Sequence, residues 1–420
     1  MNPTTRSLLL VVLCFLLADV SLAESRDEVR GLWVIRTSLR TPEAIDNLVA
    51  EAAESGINTL MVQVRGRGDA FYSSRLEPRS DLLKDQPPDF DPLAYVLVKA
   101  RSRNIRVHAW INTLLVHEPS TETLPRGHVL TRHPEWAMVP AKLAPLLYAN
   151  KASFPRSLNR IAEVIRQRSD ETEGYYLDPA EPRVREFLVQ VCSDILSKYA
   201  VDGLHLDYIR YPNPEFGFGR AAIDSFKTDI DQKLRAAERK RMSKAFAKNP
   251  LAYTQKYSAE WDAFRRRQVT RLVQRLGITA KKLRPGVTVT AAVAADSDRA
   301  YARKFQDWKL WMEEGFLDAL CPMAYTSDPS VFKNQLAIAR GFSFGGKVWA
   351  GIGAWQAPID STLEKIALAR KIRADGFLLF CYGALSEDKP GPAVSALARL
   401  KAFLAESEAA HQPAAARTAF

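Results

Sequence analysis

Cysteine is scarce in this chain, with four residues in 420. Cys14 lies in an apolar N-terminal run, and Cys192, Cys321 and Cys381 are far apart in the remaining sequence. Three scattered cysteines make neither a disulfide network nor the closely spaced ligand set of a cysteine metal site. We therefore expect them to be small buried hydrophobic side chains.

Long apolar runs are absent beyond the N-terminus. Arg6 precedes an apolar run over 8–17, and Ser21-Leu22-Ala23 follows it. A basic start, a short apolar core and small residues predict a secretory signal peptide over 1–23. The run is too short for a comfortable membrane span. We therefore expect export to the periplasm or the cell exterior, with an uncleaved N-terminal anchor as the alternative.

Several motifs that carry chemistry elsewhere are also missing. No glycine-rich phosphate loop follows the first predicted strand, which argues against a dinucleotide-binding fold. No Gly-x-Ser-x-Gly elbow is present, so a serine nucleophile of that type is not predicted. We find no motif that reads nucleic acid, and an exported chain has little access to it.

Charge is unevenly distributed along the chain. The formal net charge is +11, and residues 220–284 carry eighteen Lys or Arg against six Asp or Glu. One interpretation of this excess is a solvated helical face. The other is a basic surface over 213–285 that binds anionic polymers of the cell envelope.

Strand-like and helix-like stretches alternate along the sequence. The predicted strands are 31–36, 57–66, 105–115, one within 201–212, 287–291, 318–325, 347–355 and 376–382. This alternation predicts parallel strands joined by right-handed crossovers, and eight units fit an α/β fold of the (β/α)₈ TIM-barrel type. We place the barrel at 29–406, a charged helical insertion after strand 4 at about 213–256, and a disordered tail at 407–420. An open doubly wound sheet is the alternative.

The fourth predicted strand carries the strongest functional signal. Gly203, His205 and Asp207 alternate with Leu204 and Leu206, so the two sets face opposite sides of the strand. An unpaired buried carboxylate costs several kcal/mol, so Asp207 needs either a strong partner or a place at an open strand end. Aromatic and cationic residues just after it favour an open end that binds a ligand.

In a barrel of this kind, function resides at the carboxyl ends of the strands. Aromatic side chains that can stack on sugar rings occur there, with polar side chains that can bind hydroxyl groups. The candidate substrate-binding residues are Arg36, Gln63, Arg65, Asp69, Tyr72, His108, Trp110, Asn112, His205, Tyr208, Arg210, Tyr211, Trp355 and Tyr382. The pattern predicts a cleft for a polysaccharide.

Glycoside cleavage usually needs two carboxyl groups. Asp207 is the best candidate acid, and Tyr325 and Asp328 complete the candidate catalytic set. Asp69, Asp296 and Asp328 are the candidates for the second carboxylate. Alternatively, the N-acetyl group of an N-acetylhexosamine substrate takes the place of that carboxylate.

A metal site is a weaker interpretation of the same strands. His108 and His205 could meet Asp207 across neighbouring strands, and two His with one carboxylate can bind a metal. Two hydrogen-bonded histidines inside the barrel are the simpler interpretation. We therefore predict no metal and no cofactor.

The sequence resembles the glycosyl-hydrolase-like 10 family of exported bacterial proteins over roughly 29–385. The matching stretches are Arg30-Gly31-Leu32-Trp33, Gln63-Val64-Arg65, Gly68-Asp69-Ala70, Tyr72-Ser73-Ser74, Asp91-Pro92-Leu93, Val107–Asn112, Leu177-Asp178-Pro179, Asp202–Asp207 and Pro322–Tyr325. The resemblance implies a (β/α)₈ barrel and hydrolysis of envelope glycans, including peptidoglycan strands. A fainter similarity links the fourth strand to chitinase-type barrels.

Two positions depart from those patterns. Tyr208 stands where many members of the family have a second Asp, and Ile209 stands where chitinase-type barrels have their acidic Glu. The first hypothesis is therefore a hydrolase of an N-acetylhexosamine glycan with Asp207 as the acid. The second is a non-catalytic glycan-binding envelope protein, and the third is a metal-dependent hydrolase or deacetylase.

Overall fold

The computed structural model describes residues 28–119, 124–149, 154–168, 171–356, 358–386 and 395–411. The predicted signal peptide at 1–23 lies outside these residues. No helix in the described part of the chain is both long enough and apolar enough to cross a membrane.

Eight parallel strands close into a barrel, which confirms the predicted TIM-barrel fold. The barrel strands are β1 (Val29–Val34), β2 (Thr59–Arg65), β3 (Arg106–Asn112), β6 (Gly203–Asp207), β7 (Thr288–Ala294), β8 (Ala319–Met323), β9 (Lys347–Gly353) and β10 (Gly376–Phe380). They follow one another around the barrel in chain order, and β10 pairs with β1. Each barrel strand coincides with a predicted one. The open-sheet alternative is wrong because β1 pairs on both sides and no edge remains.

Helices surround the barrel. They are α1 (Pro42–Glu54), α2 (Pro92–Arg101), α3 (Val129–Arg132), α4 (Ala144–Ala149), α5 (Phe154–Arg166), α6 (Pro182–Lys198), α7 (Arg220–Asp231), α8 (Ala236–Lys248), α9 (Ala252–Lys256), α10 (Ser258–Leu283), α11 (Ser297–Arg299), α12 (Trp308–Glu313), α13 (Pro329–Gly341), α14 (Ile359–Lys371), α15 (Tyr382–Ser386) and α16 (Ala396–His411). The starts of α1 and α2 follow from their sequences, because Thr41 and Asp91 cap these helices and each helix has Pro at its first position.

Two segments between β3 and α10 stand outside the simple repeat. The long polar segment after β3 carries a small antiparallel sheet of β4 (Leu115–His117) and β5 (Tyr175–Tyr176). The predicted insertion at 213–256 holds α7, α8 and α9, whose aromatic residues pack with Trp261 and Phe264 of α10 in a separate small core.

The predicted tail needs one correction. Helix α16 continues to His411, so residues 407–411 are helical rather than part of a disordered tail. The Ala- and Glu-rich sequence of this stretch has high intrinsic helix propensity, which lets α16 continue past the last core contact. Residues 412–420 lie outside the described residues.

Candidate functional site

Asp207 is the last residue of β6 and is 6% exposed. Its Oδ1 accepts the Tyr208 backbone N–H at 2.6 Å, and Arg210 Nη1 lies 3.7 Å from the same oxygen. Burial raises the pKa of Asp207 above its usual range, although the nearby Arg210 charge acts in the opposite direction. The shift is in the direction that a general acid requires.

The residue after Asp207, Tyr208, has an unusual backbone conformation and packs its ring against Arg210. Tyr208 has a φ of 48°, in the left-handed region that non-glycine residues rarely adopt. Its ring lies 4.3 Å from the Arg210 guanidinium carbon and stands edge-on to Tyr176. Strained backbone of this kind is concentrated at functional sites.

Glu173 joins this group, although the sequence analysis missed it. It lies just before β5, and its Oε1 is 3.1 Å from Arg210 Nη2. Its Oε2 accepts the Tyr176 hydroxyl at 2.6 Å. Burial alone would raise the pKa of Glu173, but Arg210 and the Tyr176 hydrogen bond hold it below the usual value. No periodicity marks residue 173 in the sequence, so only the folded chain brings it to Arg210.

An aromatic group lies at the carboxyl ends of β8, β9 and β10. Tyr325 packs edge-on against Trp355 with ring centroids 4.9 Å apart, and Phe380 lies 5.3 Å from Trp355. Trp355 is 47% exposed, so part of its surface is open to a ligand. Burial raises the pKa of Tyr325 well above its usual value, and the neighbouring Asp207 charge acts in the same direction. Tyr325 also packs against the cluster inside the barrel that contains Trp110, one layer below Asp207.

Buried donors without partners lie near the same carboxyl group. Among the described residues, the Nε and Nη1 atoms of Arg210 have no hydrogen-bond partner, whereas the Trp110 indole faces the Asp207 carboxyl. Trp110 faces the barrel interior beside His205, one layer below Asp207. Orphaned buried donors are costly and call for an explanation. A ligand rich in acceptor oxygens would satisfy them.

Arg36, Gln63 and Asn112 form a polar network at the ends of the first three strands. Arg36 Nη1 donates to Gln63 Oε1 at 3.3 Å, and Gln63 Nε2 donates to Asn112 Oδ1 at 3.2 Å. Asn112 Nδ2 donates to the Gly66 carbonyl at 2.9 Å. The network links the ends of the first three strands, and direct contact of these residues with a substrate stays a prediction.

His205 and His108 lie inside the barrel and not at its opening. The Trp33 indole N–H donates to His205 Nε2 at 2.9 Å, and Nδ1 lies 2.7 Å from Thr290 Oγ1. Because the indole can only donate, Nε2 accepts and Nδ1 carries the proton. Burial lowers the pKa of both histidines to about 3, so both are neutral. Their predicted contact with substrate is corrected to a packing role.

The same burial bears on the metal hypothesis. Both ring nitrogens of His205 are already used, and His108 stands edge-on to Trp349 with centroids 5.6 Å apart. Within the described ranges, no group of three or more His, Cys, Asp or Glu residues is arranged to hold a metal ion.

Arg65 does not face the opening, which corrects its predicted contact with substrate. The register between β2 and β3 shifts after Gln63, so Arg65 stands opposite Ile111 instead of an inward-facing residue. A β-bulge of this kind turns the following side chain to the other face. Arg65 is fully buried in the helix layer, where its Nε and Nη2 bind Glu77 at 2.8–2.9 Å.

Three predicted cleft aromatics are also corrected. Tyr72 packs edge-on against Tyr199, which immediately follows α6 and therefore lies near the amino end of β6. Tyr211 is fully buried against Phe305. Tyr382 donates its hydroxyl to Glu51 of α1 at 3.0 Å. Tyr382 lies two residues beyond the end of β10, where the alternation of the strand no longer applies. Tyr72 and Tyr211 lie in the segments after β2 and β6, whose paths the strand pattern does not fix.

The three candidate second carboxylates all serve local backbone. Asp296 and Asp328 are N-caps: Asp296 Oδ1 accepts two N–H groups of α11, and Asp328 Oδ1 accepts those of Ser330 and Val331. Asp69 Oδ1 accepts the Arg67 N–H at 2.8 Å. These bonds account for the three positions without catalysis, and a catalytic role for Asp328 stays a prediction.

Structural comparison shows the fold alone. The glycoside hydrolase domain of PgaB (BpsB) from Bordetella bronchiseptica matches with a TM-score of 0.60 at 11% identity, over 86% of this chain and 95% of that domain. A β-galactosidase from Bacillus circulans sp. alkalophilus matches with a TM-score of 0.60 at 12% identity, over 90% of this chain and 56% of that one.

Comparison of the sequence identifies relatives and a family. Glycosyl hydrolase DigH of Escherichia coli K12 is 27% identical over 287 residues, covering 64% of this chain and 55% of DigH. Glycosyl hydrolase YngK of Bacillus subtilis is 23% identical over 341 residues, covering 73% of this chain and 55% of YngK. The chain thus spans about half the length of these curated relatives. The model of the family described as glycosyl hydrolase-like 10 matches residues 28–341. The chain therefore belongs to the glycosyl hydrolase-like 10 family.

Proposed function

We propose that the protein is an exported glycoside hydrolase that cleaves an N-acetylhexosamine polymer, foremost the glycan strands of peptidoglycan, with Asp207 as the general acid. The observation that carries the proposal is Asp207 itself. It is a buried carboxyl at the end of a barrel strand, and burial raises its pKa above the usual value. Proton donation to a leaving oxygen needs such a group.

The surroundings of Asp207 favour a sugar as the ligand. Trp355 offers an exposed ring face, and pyranose rings stack on such faces. The unpartnered donors on Arg210 suit hydroxyl or amide oxygens. The structural likeness to a glycoside hydrolase domain is consistent with this choice of ligand class.

Assistance by the substrate accounts best for the second catalytic group. Asp69, Asp296 and Asp328 bind backbone, and Glu173 binds Arg210 and Tyr176 with its two oxygens. In this mechanism Asp207 protonates the leaving oxygen while the acetamido oxygen of the substrate bonds to the anomeric carbon and the glycosidic bond breaks. Water then attacks that carbon, the acetamido oxygen leaves, and the water proton returns to Asp207. The anomeric configuration is retained.

The experiment measures new reducing ends from purified peptidoglycan, with and without its stem peptides. We expect the wild-type protein to release them and Asp207→Asn to release at least about 10²-fold fewer, because general acid catalysis contributes on the order of 10²–10⁴-fold. De-N-acetylated strands are the matched control for the substrate, and we expect no cleavage of them.

Two results would contradict the proposal. Full activity of Asp207→Asn would exclude Asp207 as the acid. No reducing ends from either protein, with both still pelleting on the glycan, would favour a non-catalytic glycan-binding protein instead.

The basic insertion suggests a second contact with the cell envelope. Helix α8 bears a shallow surface groove lined by Ala236, Arg239, Lys240, Ser243, Lys244 and Ala247. The three cationic side chains are exposed. We propose that this face binds anionic envelope polymers, which would hold the enzyme near its substrate.

A further inference from the structure

We propose that Glu173 is a positioning residue that acts on Asp207 through Arg210. By binding the guanidinium and balancing its charge, Glu173 lets Asp207 keep the proton that it donates. The inference deepens the proposed function and rests on Asp207 being the acid. It assigns a role to Glu173, a residue just before β5 that no strand or helix pattern in the sequence singles out.

The geometry of Arg210 makes Glu173 its principal partner. Nη2 lies 3.1 Å from Glu173 Oε1, within hydrogen-bond distance, whereas Nη1 lies 3.7 Å from Asp207 Oδ1 and makes no hydrogen bond to it. The Arg210 side chain is only 9% exposed, so water screens its charge weakly. The effect of the Arg210 charge on Asp207 therefore depends on how far Glu173 compensates that charge.

Glu173 and Arg210 are both held in place. The Tyr176 hydroxyl donates to Glu173 Oε2 at 2.6 Å, so both carboxylate oxygens are engaged. The Tyr208 ring covers one face of the guanidinium. A carboxylate with both oxygens bound is poorly placed to deprotonate water, which favours positioning over direct participation in the reaction.

The other groups that face Asp207 come from several elements. Trp110 on β3 and Cys321 on β8 are neutral, as are Tyr208 and Tyr325, whose pKa values burial raises. Below Asp207, His205 is neutral too. Lys304 faces Glu173 and Arg210, and burial and the Arg210 charge lower its pKa to about 8. Arg67 acts on Tyr208. Among the described residues, Arg210 and Glu173 are thus the charged groups that act most strongly on Asp207.

The contacts of Arg210 predict the direction in which Glu173→Gln shifts the pKa of Asp207. In Glu173→Gln the Arg210 charge loses its compensation and acts more strongly on Asp207. An opposite charge favours the carboxylate and lowers its pKa, by about 1–3 units at such distances. A general acid works only while protonated, so activity falls as pH rises through the pKa of that acid. The basic limb of the pH profile should therefore move to lower pH in the variant.

The experiment compares the wild type, Glu173→Gln and the matched control Glu171→Gln. Glu171 is an exposed carboxylate two residues away that contacts Arg168 and Asn213. The first readout is kcat/KM for glycan cleavage across pH. The second is the titration of the Asp207 side-chain carbon by ¹³C NMR, assigned with Asp207→Asn, which needs no turnover.

We expect Glu173→Gln to move both the basic limb and the Asp207 titration to lower pH by about one unit. At the acidic end of the profile, its activity should approach that of the wild type. Glu171→Gln should leave both curves in place. Adding Arg210→Gln to Glu173→Gln should return the Asp207 titration toward higher pH, because the uncompensated charge is then gone.

Other outcomes overturn the inference. Unchanged curves in Glu173→Gln would show that Glu173 does not act on Asp207. A loss of more than about 10²-fold at every pH, with the Asp207 titration unmoved, would make Glu173 a direct participant in the reaction. If the wild type cleaves nothing, the proposed function fails, while the NMR titration still decides whether the three residues are coupled.

Discussion

At the scale of single residues, two buried ionisable side chains differ in how closely they are paired. Arg65 is fully buried, and its guanidinium is bound by Glu77 and by the Asn112 and Thr113 carbonyls. Asp207 is almost as buried, but its nearest cation stands at 3.7 Å and is bound more closely by Glu173. The first arrangement stabilises the fold, and the second leaves a carboxyl whose pKa is raised by burial.

The Arg65–Glu77 pair yields a stability prediction. Arg65→Met leaves the Glu77 carboxylate buried without its partner, which should lower the free energy of unfolding by about 3–5 kcal/mol. Arg67→Met is the matched control, because Arg67 pairs with Glu118 nearer the surface and such pairs contribute about 1 kcal/mol or less. Urea unfolding of both variants measures the difference. Equal stability of the two would contradict the structural role of Arg65.

At the scale of elements, local capping explains side chains that looked catalytic in the sequence. Asp328 directly follows the motif at the end of β8, which made it a candidate acid. In the structure it is exposed and binds two N–H groups at the start of α13. Aspartate is among the preferred N-cap residues because it satisfies donors that the helix leaves free.

The cap account predicts how α13 responds to substitution. Asp328→Ala should lower the free energy of unfolding by about 1 kcal/mol, whereas Asp328→Asn, which keeps an accepting oxygen, should change it little. Thermal and urea unfolding of the two variants test this difference. Loss of glycan cleavage in a fully stable Asp328→Asn protein would restore Asp328 as a catalytic candidate.

At the scale of the whole molecule, charge and chemistry are separated along the chain. The cationic excess lies in α7 to α10, whereas the site is built from strand ends and from the segment that leads to β5. Attraction between a basic face and an anionic polymer is screened by salt, with a Debye length of about 8 Å at physiological ionic strength. Attachment and catalysis should therefore respond to different substitutions.

This separation predicts that the basic face can be altered by itself. Lys240→Glu with Lys244→Glu should weaken binding to an anionic polymer such as wall teichoic acid several-fold at low salt, and added salt should abolish the difference. Lys333→Glu with Lys371→Glu, at exposed positions on α13 and α14, changes the net charge equally and is the control. Co-sedimentation measures binding. An equal loss in both pairs would indicate a general charge effect.

The sequence alone determined the architecture. Eight strand patterns separated by helix patterns are sufficient for a (β/α)₈ barrel, because alternation and connection rules leave few other topologies. It also placed Asp207 on the same face of its strand as Gly203 and His205, because the side of a strand on which a residue lies follows directly from the period of two. Tyr325 and Trp355 lie two residues beyond the ends of β8 and β9, as Tyr382 does beyond β10, so the period of two alone does not fix their directions.

Only the tertiary structure decided where side chains point once a strand is interrupted by a bulge or has ended. The bulge in β2 turned Arg65 outward, and Tyr72, Tyr211 and Tyr382 lie in segments that have left their strands. Glu173 lies beside Arg210 because it stands just before β5, which pairs with β4 shortly after the end of β3. Contacts between residues far apart in sequence depend on the packing of whole segments, and no local pattern encodes them.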